Sequence, residues 1–154
     1  MSALKDQLHT DLVTAMKARD ALRTSTLRMA LAAITNAEVA GKEAKELTDE
    51  DVITVLGSEA KKRREAAEAF AAGDRQELAD KEQAEAEILA TYLPEQLTAD
   101  EIKAIVTAAV ETAGAAGEGM KAMGKVMGIV SPQVKGKADG GAVAAEVKAQ
   151  LGAS

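Results

Sequence analysis

Only two aromatic residues, Phe70 and Tyr92, stand against 34 alanines in a chain of 154 residues. Few bulky side chains are therefore available to fill a core. Thin helical layers suit that supply, because alanine is the best helix former and packs without side-chain entropy loss. A β-sandwich or barrel, which needs large branched and aromatic residues, does not. Folds that stack bases on aromatic platforms are excluded for the same reason.

Other absences narrow the chemistry. There is no cysteine, so disulfides, thiolate nucleophiles and Cys-based zinc or iron–sulfur sites are ruled out. A single histidine, His9, removes the paired-His metal motifs and argues against a Ser-His-Asp triad. Carboxylate pairs such as Glu85/Glu87 and Glu65/Glu68 occur at spacings common in any Glu-rich helix. The expectation is no catalytic residue, no metal and no cofactor.

The longest runs without a charge, Met29–Ala37 and Val126–Val134, are nine residues each. A bilayer span needs roughly eighteen. The start, Met1-Ser2-Ala3-Leu4-Lys5-Asp6, lacks the apolar stretch of a signal peptide. We expect no membrane partner and a cytoplasmic location. The net charge of −6 argues against a general nucleic-acid coat protein but allows a local basic patch.

Every periodic segment reads as helix. Ser2 caps a first helix with the stripe Leu4, Leu8, Leu12, Ala15 and Met16. Asp20 starts a second, ended by Gly41, whose apolar side is widened by Leu27 and Leu31, a pattern expected at the centre of a bundle. Thr48 with Asp49-Glu50-Asp51 opens a third, which ends at Gly73. Asp74 with Glu77 resembles a capping box for a fourth helix carrying Leu78, Ile88, Leu89 and Tyr92. Pro94 stops it.

Thr98 and Glu101 then form another capping box, before Ile102, Ile105, Val106, Ala109 and Val110. A short helix around Met120–Val130 follows, interrupted by Gly124 and Gly128 and ended by Ser131-Pro132; Asp139 caps a last one with Val143, Val147 and Leu151. The predicted fold is all-α. An N-terminal helical bundle domain over 1–93 precedes a small C-terminal three-helix domain over 97–154, with the boundary at Pro94–Leu97. Residues 1–93 carry 13 Lys/Arg against 18 Asp/Glu, and residues 94–154 carry 6 against 7 with far more glycine.

Gly119-Met120-Lys121-Ala122-Met123-Gly124-Lys125-Val126 matches seven positions of a phosphate-binding loop. The eighth fails, since Val126 has no hydroxyl for magnesium, and no strand precedes it. Lys61-Lys62-Arg63-Arg64 looks like a nucleic-acid patch, but consecutive helical residues do not share a face. Glu59, Glu65 and Glu68 are at hand as partners for Arg63, Lys61 and Arg64.

Lys17, Arg19, Arg23 and Arg28 form a second cluster opposed only by Asp20. Arg19 and Arg23 neighbour each other if one helix holds both. Arg28 lies beside an apolar face, where it could instead anchor an internal carboxylate.

The segment Lys121–Lys137 is the most informative. It holds Lys121, Lys125, Lys135 and Lys137, no acid, and three glycines, Gly124, Gly128 and Gly136. Lysines hold phosphates as point charges, and exposed amides add directional hydrogen bonds. Without aromatic residues, contact would be to nucleic-acid backbone and shape. The competing reading is that the glycines allow close helix packing and the lysines merely face solvent.

Several stretches carry a family resemblance. They are Leu27-Arg28-Met29-Ala30-Leu31-Ala32-Ala33-Ile34, Lys62-Arg63-Arg64 with Ala69-Phe70, and Gly73-Asp74-Arg75-Gln76-Glu77-Leu78-Ala79-Asp80-Lys81-Glu82. Tyr92-Leu93-Pro94-Glu95-Gln96-Leu97, Met123-Gly124-Lys125-Val126-Met127-Gly128 and Lys135-Gly136-Lys137-Ala138-Asp139-Gly140 continue it. Over nearly its full length the chain resembles the YqeY family, small bacterial proteins of the GatB/YqeY domain class. The resemblance implies two helical domains similar to the tail of the B subunit of the tRNA-dependent amidotransferase. That tail contacts tRNA, while kinase and transamidase chemistry sits in a separate domain with no counterpart here.

The resemblance thus implies a tRNA-binding accessory module, its motif-like stretch mapping onto Gly124-Lys125-Val126-Met127 and Lys135-Gly136-Lys137-Ala138; with the charge reading, the expected contact is Lys121, Gly124, Lys125, Lys135, Gly136 and Lys137, and Arg19, Arg23 and Arg28 form a secondary patch. Two alternatives stay open. One is a helical adaptor for an amidotransferase or aminoacyl-tRNA synthetase. The other is a carbon–nitrogen ligase using glutamine as amido-N-donor, the activity the family name suggests.

Overall fold

The structure is a computed structural model that describes residues 2–152. Among them are α1 (Ala3–Lys17), α2 (Ala21–Val39), α3 (Asp49–Ala72), α4 (Gln76–Ala90), α5 (Ala99–Ala113), a 3-10 turn (Gly119–Ala122), α6 (Met123–Val134) and α7 (Gly140–Gly152). No strand occurs among the described residues, so the fold is all-α. The chain divides into two compact units, Met1–Pro94 and Glu95–Ser154.

In the first unit, Ser2 does two jobs. Its hydroxyl accepts from the Lys5 N–H, capping α1, and donates to Asp49 Oδ1 at the start of α3 (2.5 Å). That bond, followed by the Leu4 N–H, holds the Asp49 carboxyl below its usual range. Lys5 Nζ reaches Glu38 at 2.9 Å and ties α1 to the end of α2. The core beneath is formed by Leu8, Leu27, Leu31, Ile34, Leu47, Val52, Leu56 and Leu89 with Ala15, Ala30 and Ala60. Leu27 and Leu31 are buried there, as the widened stripe of the second helix predicts.

Beyond that core, α3 and α4 continue as an antiparallel pair. Their buried seam is alanine, with Ala60 and Ala67 one heptad apart on α3 and Ala79 and Ala86 one heptad apart on α4. Side chains this small bring the two backbones close, which is how an alanine-rich chain packs without bulk.

Several expected helix signals in this unit are corrected. Asp74 does not cap α4: it sits in the left-handed region (φ 61°), and the residue flanking the helix is Arg75, without a side-chain cap. The turn that ends α3 takes priority. Arg75 N–H bonds to Phe70 O (2.8 Å) and Asp74 N–H to Ala71 O (3.2 Å), a pairing that requires a left-handed residue at Asp74. The same device ends α1 at Arg19 (φ 58°), where Asp20 N–H bonds to Ala15 O (3.0 Å). Arg19 and Arg23 therefore do not share a helix. Met16 and Leu78, placed on apolar stripes by spacing, are exposed.

In the second unit, both capping-box partners of α5 are in place at Thr98 and Glu101, and left-handed Gly114 (φ 63°) ends it. Its core is largely valine: Val126, Val130 and Val134 from α6, Val143 and Val147 from α7, and Val106 from α5. α6 departs from expectation. It runs through Gly124, Gly128 and Pro132 to Val134, where the sequence predicts a stop at Ser131-Pro132. Pro132 stands in the last turn, so it removes one helical bond, and the carbonyl its ring faces belongs to side-chain-free Gly128. Burying Val134 beyond it contributes about 1.5–3 kcal/mol, enough to offset that loss.

Candidate nucleic-acid interface

Burial of Val126, Val130 and Val134 fixes which way α6 faces. On the opposite side Gly124, Lys125, Gly128, Ser131 and Pro132 are all exposed, and Lys121 in the preceding 3-10 turn precedes them by one turn of spacing. The stripe thus alternates lysine with bare backbone. A Cβ built on Gly124 or Gly128 would meet nothing within 4 Å. The close-packing explanation for these glycines is thereby overturned, since no part of the described chain approaches them.

The loop after α6 is held by its backbone. Lys137 N–H and Ala138 N–H both donate to Val134 O (2.8 and 3.1 Å), and Gly136 is left-handed at φ 75°. From the segment before α5, Leu97 N–H donates to Lys137 O (2.8 Å) and Gln96 Nε2 to Gly136 O (3.0 Å). These bonds hold the loop that carries exposed Lys135 and Lys137 at the C-terminal end of α6. The six residues of the segment fall on one helix face and the loop that continues it.

The Arg19/Arg23/Arg28 patch separates. Arg19 and Arg28 border a shallow depression of about 420 Å³ with Met16, Thr24 and Ser25, and Arg28 Nη2 approaches Met16 Sδ at 3.8 Å. Arg23 instead reaches the Tyr92 hydroxyl, which donates to Asp11 Oδ2 (2.5 Å). Burial first, then Asp11, pushes the Tyr92 phenol up to about 12. The anchoring of an internal carboxylate expected of Arg28 thus falls to Arg23, which acts on Asp11 through Tyr92, and the patch keeps two of its three arginines.

In the basic run, Lys61 pairs with Glu65 at 4.0 Å as expected, but Glu59 takes Lys62 (3.1 Å) rather than Arg63. Arg63 turns into the seam between α3 and α4, with Nη1 3.5 Å from Glu82 and 4.0 Å from Glu85. Arg63 Nε and Glu82 Oε2 are buried without hydrogen-bond partners. Burial, followed by the Glu82 charge, raises the Glu85 carboxyl above its usual range, against the pull of Lys81 and Arg63. Pairwise i,i+4 reasoning misses this cluster. Its signal is the seam itself, where Arg63 falls between Ala60 and Ala67, and Glu82 between Ala79 and Ala86.

Among the described residues no three acidic or histidine side chains gather to hold a metal ion, and no helix is long and apolar enough to cross a membrane.

Similarity to known proteins spans both units. The family model described as Yqey-like protein matches residues 5–151. A Schizosaccharomyces pombe protein described as uncharacterised is 40% identical over 85 residues, which cover 54% of this chain and 67% of that one. A Pyrenophora tritici-repentis protein is 33% identical over 135 residues, covering 86% of this chain and 71% of its own length. Its name is altered inheritance of mitochondria protein 41, mitochondrial. These two relatives are fungal, so the similarity reaches beyond the bacterial proteins of the sequence resemblance.

Proposed function

The chain belongs to the Yqey-like protein family, and on that premise we propose that it is a tRNA-binding accessory module that grips the RNA backbone with the exposed face of α6 and the loop after it. The observation that carries this reading is the lysine-and-glycine face. A glycine inside a helix costs about 0.5–1 kcal/mol relative to alanine. Gly124 and Gly128 carry that cost where no neighbour in the chain needs the space. Bare backbone beside Lys121 and Lys125 makes sense when something outside the protein comes close and is negatively charged. Phosphates fit, being held by lysines as point charges.

The resemblance to the amidotransferase B-subunit tail selects tRNA among phosphate-bearing partners. On this reading the protein works in the cytoplasm, where tRNA is charged. The exposed Arg19 and Arg28 supply a second contact in the first unit.

The test is the double substitution Lys125→Ala with Lys137→Ala. Each lysine–phosphate contact releases about one counterion, so the variant should bind several tRNAs equally weakly and show a flatter salt dependence. Its folding should survive, because exposed lysines contribute within about 0.5 kcal/mol. Wild-type tRNA affinity in this variant, at low and at physiological salt, would refute the assignment. Retention of a synthetase or amidotransferase on the immobilised protein after ribonuclease treatment would favour the adaptor reading instead.

A further inference from the structure

Beside the lysine face, and sharing Gly128, Ser131 and Pro132 with it, lies a groove whose apolar wall backbone gripping does not explain. It runs between the C-terminal half of α6 and the start of α7, encloses about 590 Å³, and is walled mainly by Met127, Gly128, Pro132, Val134, Ala138 and Val143. Its lining is mostly apolar, with Ser131 and Lys135 as the polar side chains.

Three properties define what would fit. The first is shape. Gly128 and Gly140 leave backbone bare at the groove, and a Cβ on either would meet nothing within 4 Å. Bare peptide beside a proline ring suits a flat occupant better than a branched aliphatic chain.

The second is charge. Lys125 stands one helical turn before Gly128, Lys135 lines the groove and Lys137 adjoins Ala138, whereas Asp139, the one acid among the lining segments, has its carboxylate on the Gly141 and Ala142 N–H groups at 3.3 Å. The occupant therefore carries negative charge close to its flat part. The third is a hydrogen-bond acceptor. Pro132 has no N–H to return to the Gly128 carbonyl, which leaves that oxygen without its helical donor between two groove-lining residues.

A flat group with donors on its edge, joined to phosphates, is a nucleobase in an unpaired nucleotide. We infer that the groove receives one unstacked base of an RNA loop, while Lys125 and Lys137 hold the phosphates that flank it. This rests on the RNA-binding reading above and deepens it. Loops and bulges, whose bases splay out, become the recognised element, and continuous A-form duplex, which offers no free base, becomes the weaker ligand.

The experiment compares the full-length protein on a tRNA transcript and on a blunt-ended RNA duplex of equal nucleotide count. The groove is filled by Ser131→Leu and, on the facing side, by Gly140→Leu; both positions are exposed, and circular dichroism confirms that each variant folds. Gly140 lies outside the proposed phosphate contact, and Ser131, at the edge of the α6 face, supplies none of its lysines. Wild type should prefer tRNA over duplex, and each variant should lose about tenfold on tRNA, the worth of burying roughly 60 Å² of apolar base surface, with duplex binding kept.

If Lys125→Ala/Lys137→Ala loses tRNA binding while both leucine variants bind tRNA like wild type, the groove assignment is overturned and the RNA reading stands. If neither the lysine nor the leucine variants change tRNA binding, both fall. If an acidic amphipathic peptide is displaced by Ser131→Leu while tRNA binding stays intact, the groove serves a protein, and the inference is overturned.

Discussion

Replacing Gly124 and Gly128 together by alanine separates what the fold needs from what a partner needs. Both residues lie in α6, on the side opposite the buried valines, and a methyl at either position enters open space. Gly128, in the helix interior, should return about 1 kcal/mol on becoming alanine, and Gly124, one residue inside the helix, about half of that. The pair should stabilise the second unit by about 1–1.5 kcal/mol. For a unit of this size that corresponds to a rise in Tm of roughly 4–8 °C per kcal/mol.

RNA affinity should move the other way. Two methyl groups on the face that meets the phosphate backbone hold it off, and losing one well-placed hydrogen bond costs about 1–1.5 kcal/mol, or up to tenfold in Kd. Denaturant unfolding followed by circular dichroism gives the first quantity, and fluorescence anisotropy with labelled tRNA gives the second. A fall in stability would mean that the glycines serve internal packing after all. A gain in stability with unchanged tRNA binding would remove this face from the interface.

Three more substitutions probe the fold. Glu85→Gln should stabilise the protein at neutral pH. Burial raises this carboxyl above its ordinary 4.5, so the folded state holds the proton more tightly than the unfolded one; stability is then greatest below 4.5 and declines as pH rises through the raised value, and glutamine should flatten that decline in denaturation curves taken from acid to neutral pH. Asp74→Gly should add about 0.5–1 kcal/mol by relieving a left-handed residue, measured as a shift in the denaturation midpoint, and a loss would mean that the carboxylate matters more than the backbone. Tyr92→Phe should cost about 1–2 kcal/mol by leaving Asp11 Oδ2 without its donor while Oδ1 keeps Gln7, and in wild type the absorbance of this lone tyrosine should titrate near 12, with stability falling between 10 and 12 as the unfolded phenol ionises first.

Local signals in the sequence led to the right elements where one energetic term dominates. The Ser2, Asp20 and Thr48 caps, the capping box at Thr98, and the Val143, Val147 and Leu151 spacing of α7 each reflect a short-range preference that tertiary packing then reinforces. Signals failed where two local terms compete. At Gly73-Asp74 the α3 terminating turn and the α4 cap demand different conformations of the same residue, and the turn, with two backbone bonds, prevails. At Pro132 a helix breaker meets a buried valine two residues on, and burial prevails.

The lysine segment was visible because it carries four lysines, three glycines and no acid, while the face shared by Gly124, Lys125 and Gly128 came only with the helix that runs through them. The Arg63–Glu82–Glu85 cluster and the removal of Arg23 from its patch were not, because both depend on which helices become neighbours. The groove beside α6 was invisible for the same reason.

The chain spends its smallest residues in two opposite ways. Along α3 and α4, Ala60, Ala67, Ala79 and Ala86 are buried, so removing bulk there brings two helices of the same unit together. Along α6, Gly124 and Gly128 are exposed, so removing bulk there brings nothing of the described chain closer. Alanine favours helix, and its use in the seam agrees with local propensity and with packing at once. Glycine disfavours helix, and its use on α6 conflicts with propensity and gains no packing. Conflict between local preference and fold marks functional sites more often than structural ones. By that criterion the exposed face of α6, rather than the more strongly charged Lys61-Lys62-Arg63-Arg64 run, is where a partner should be sought.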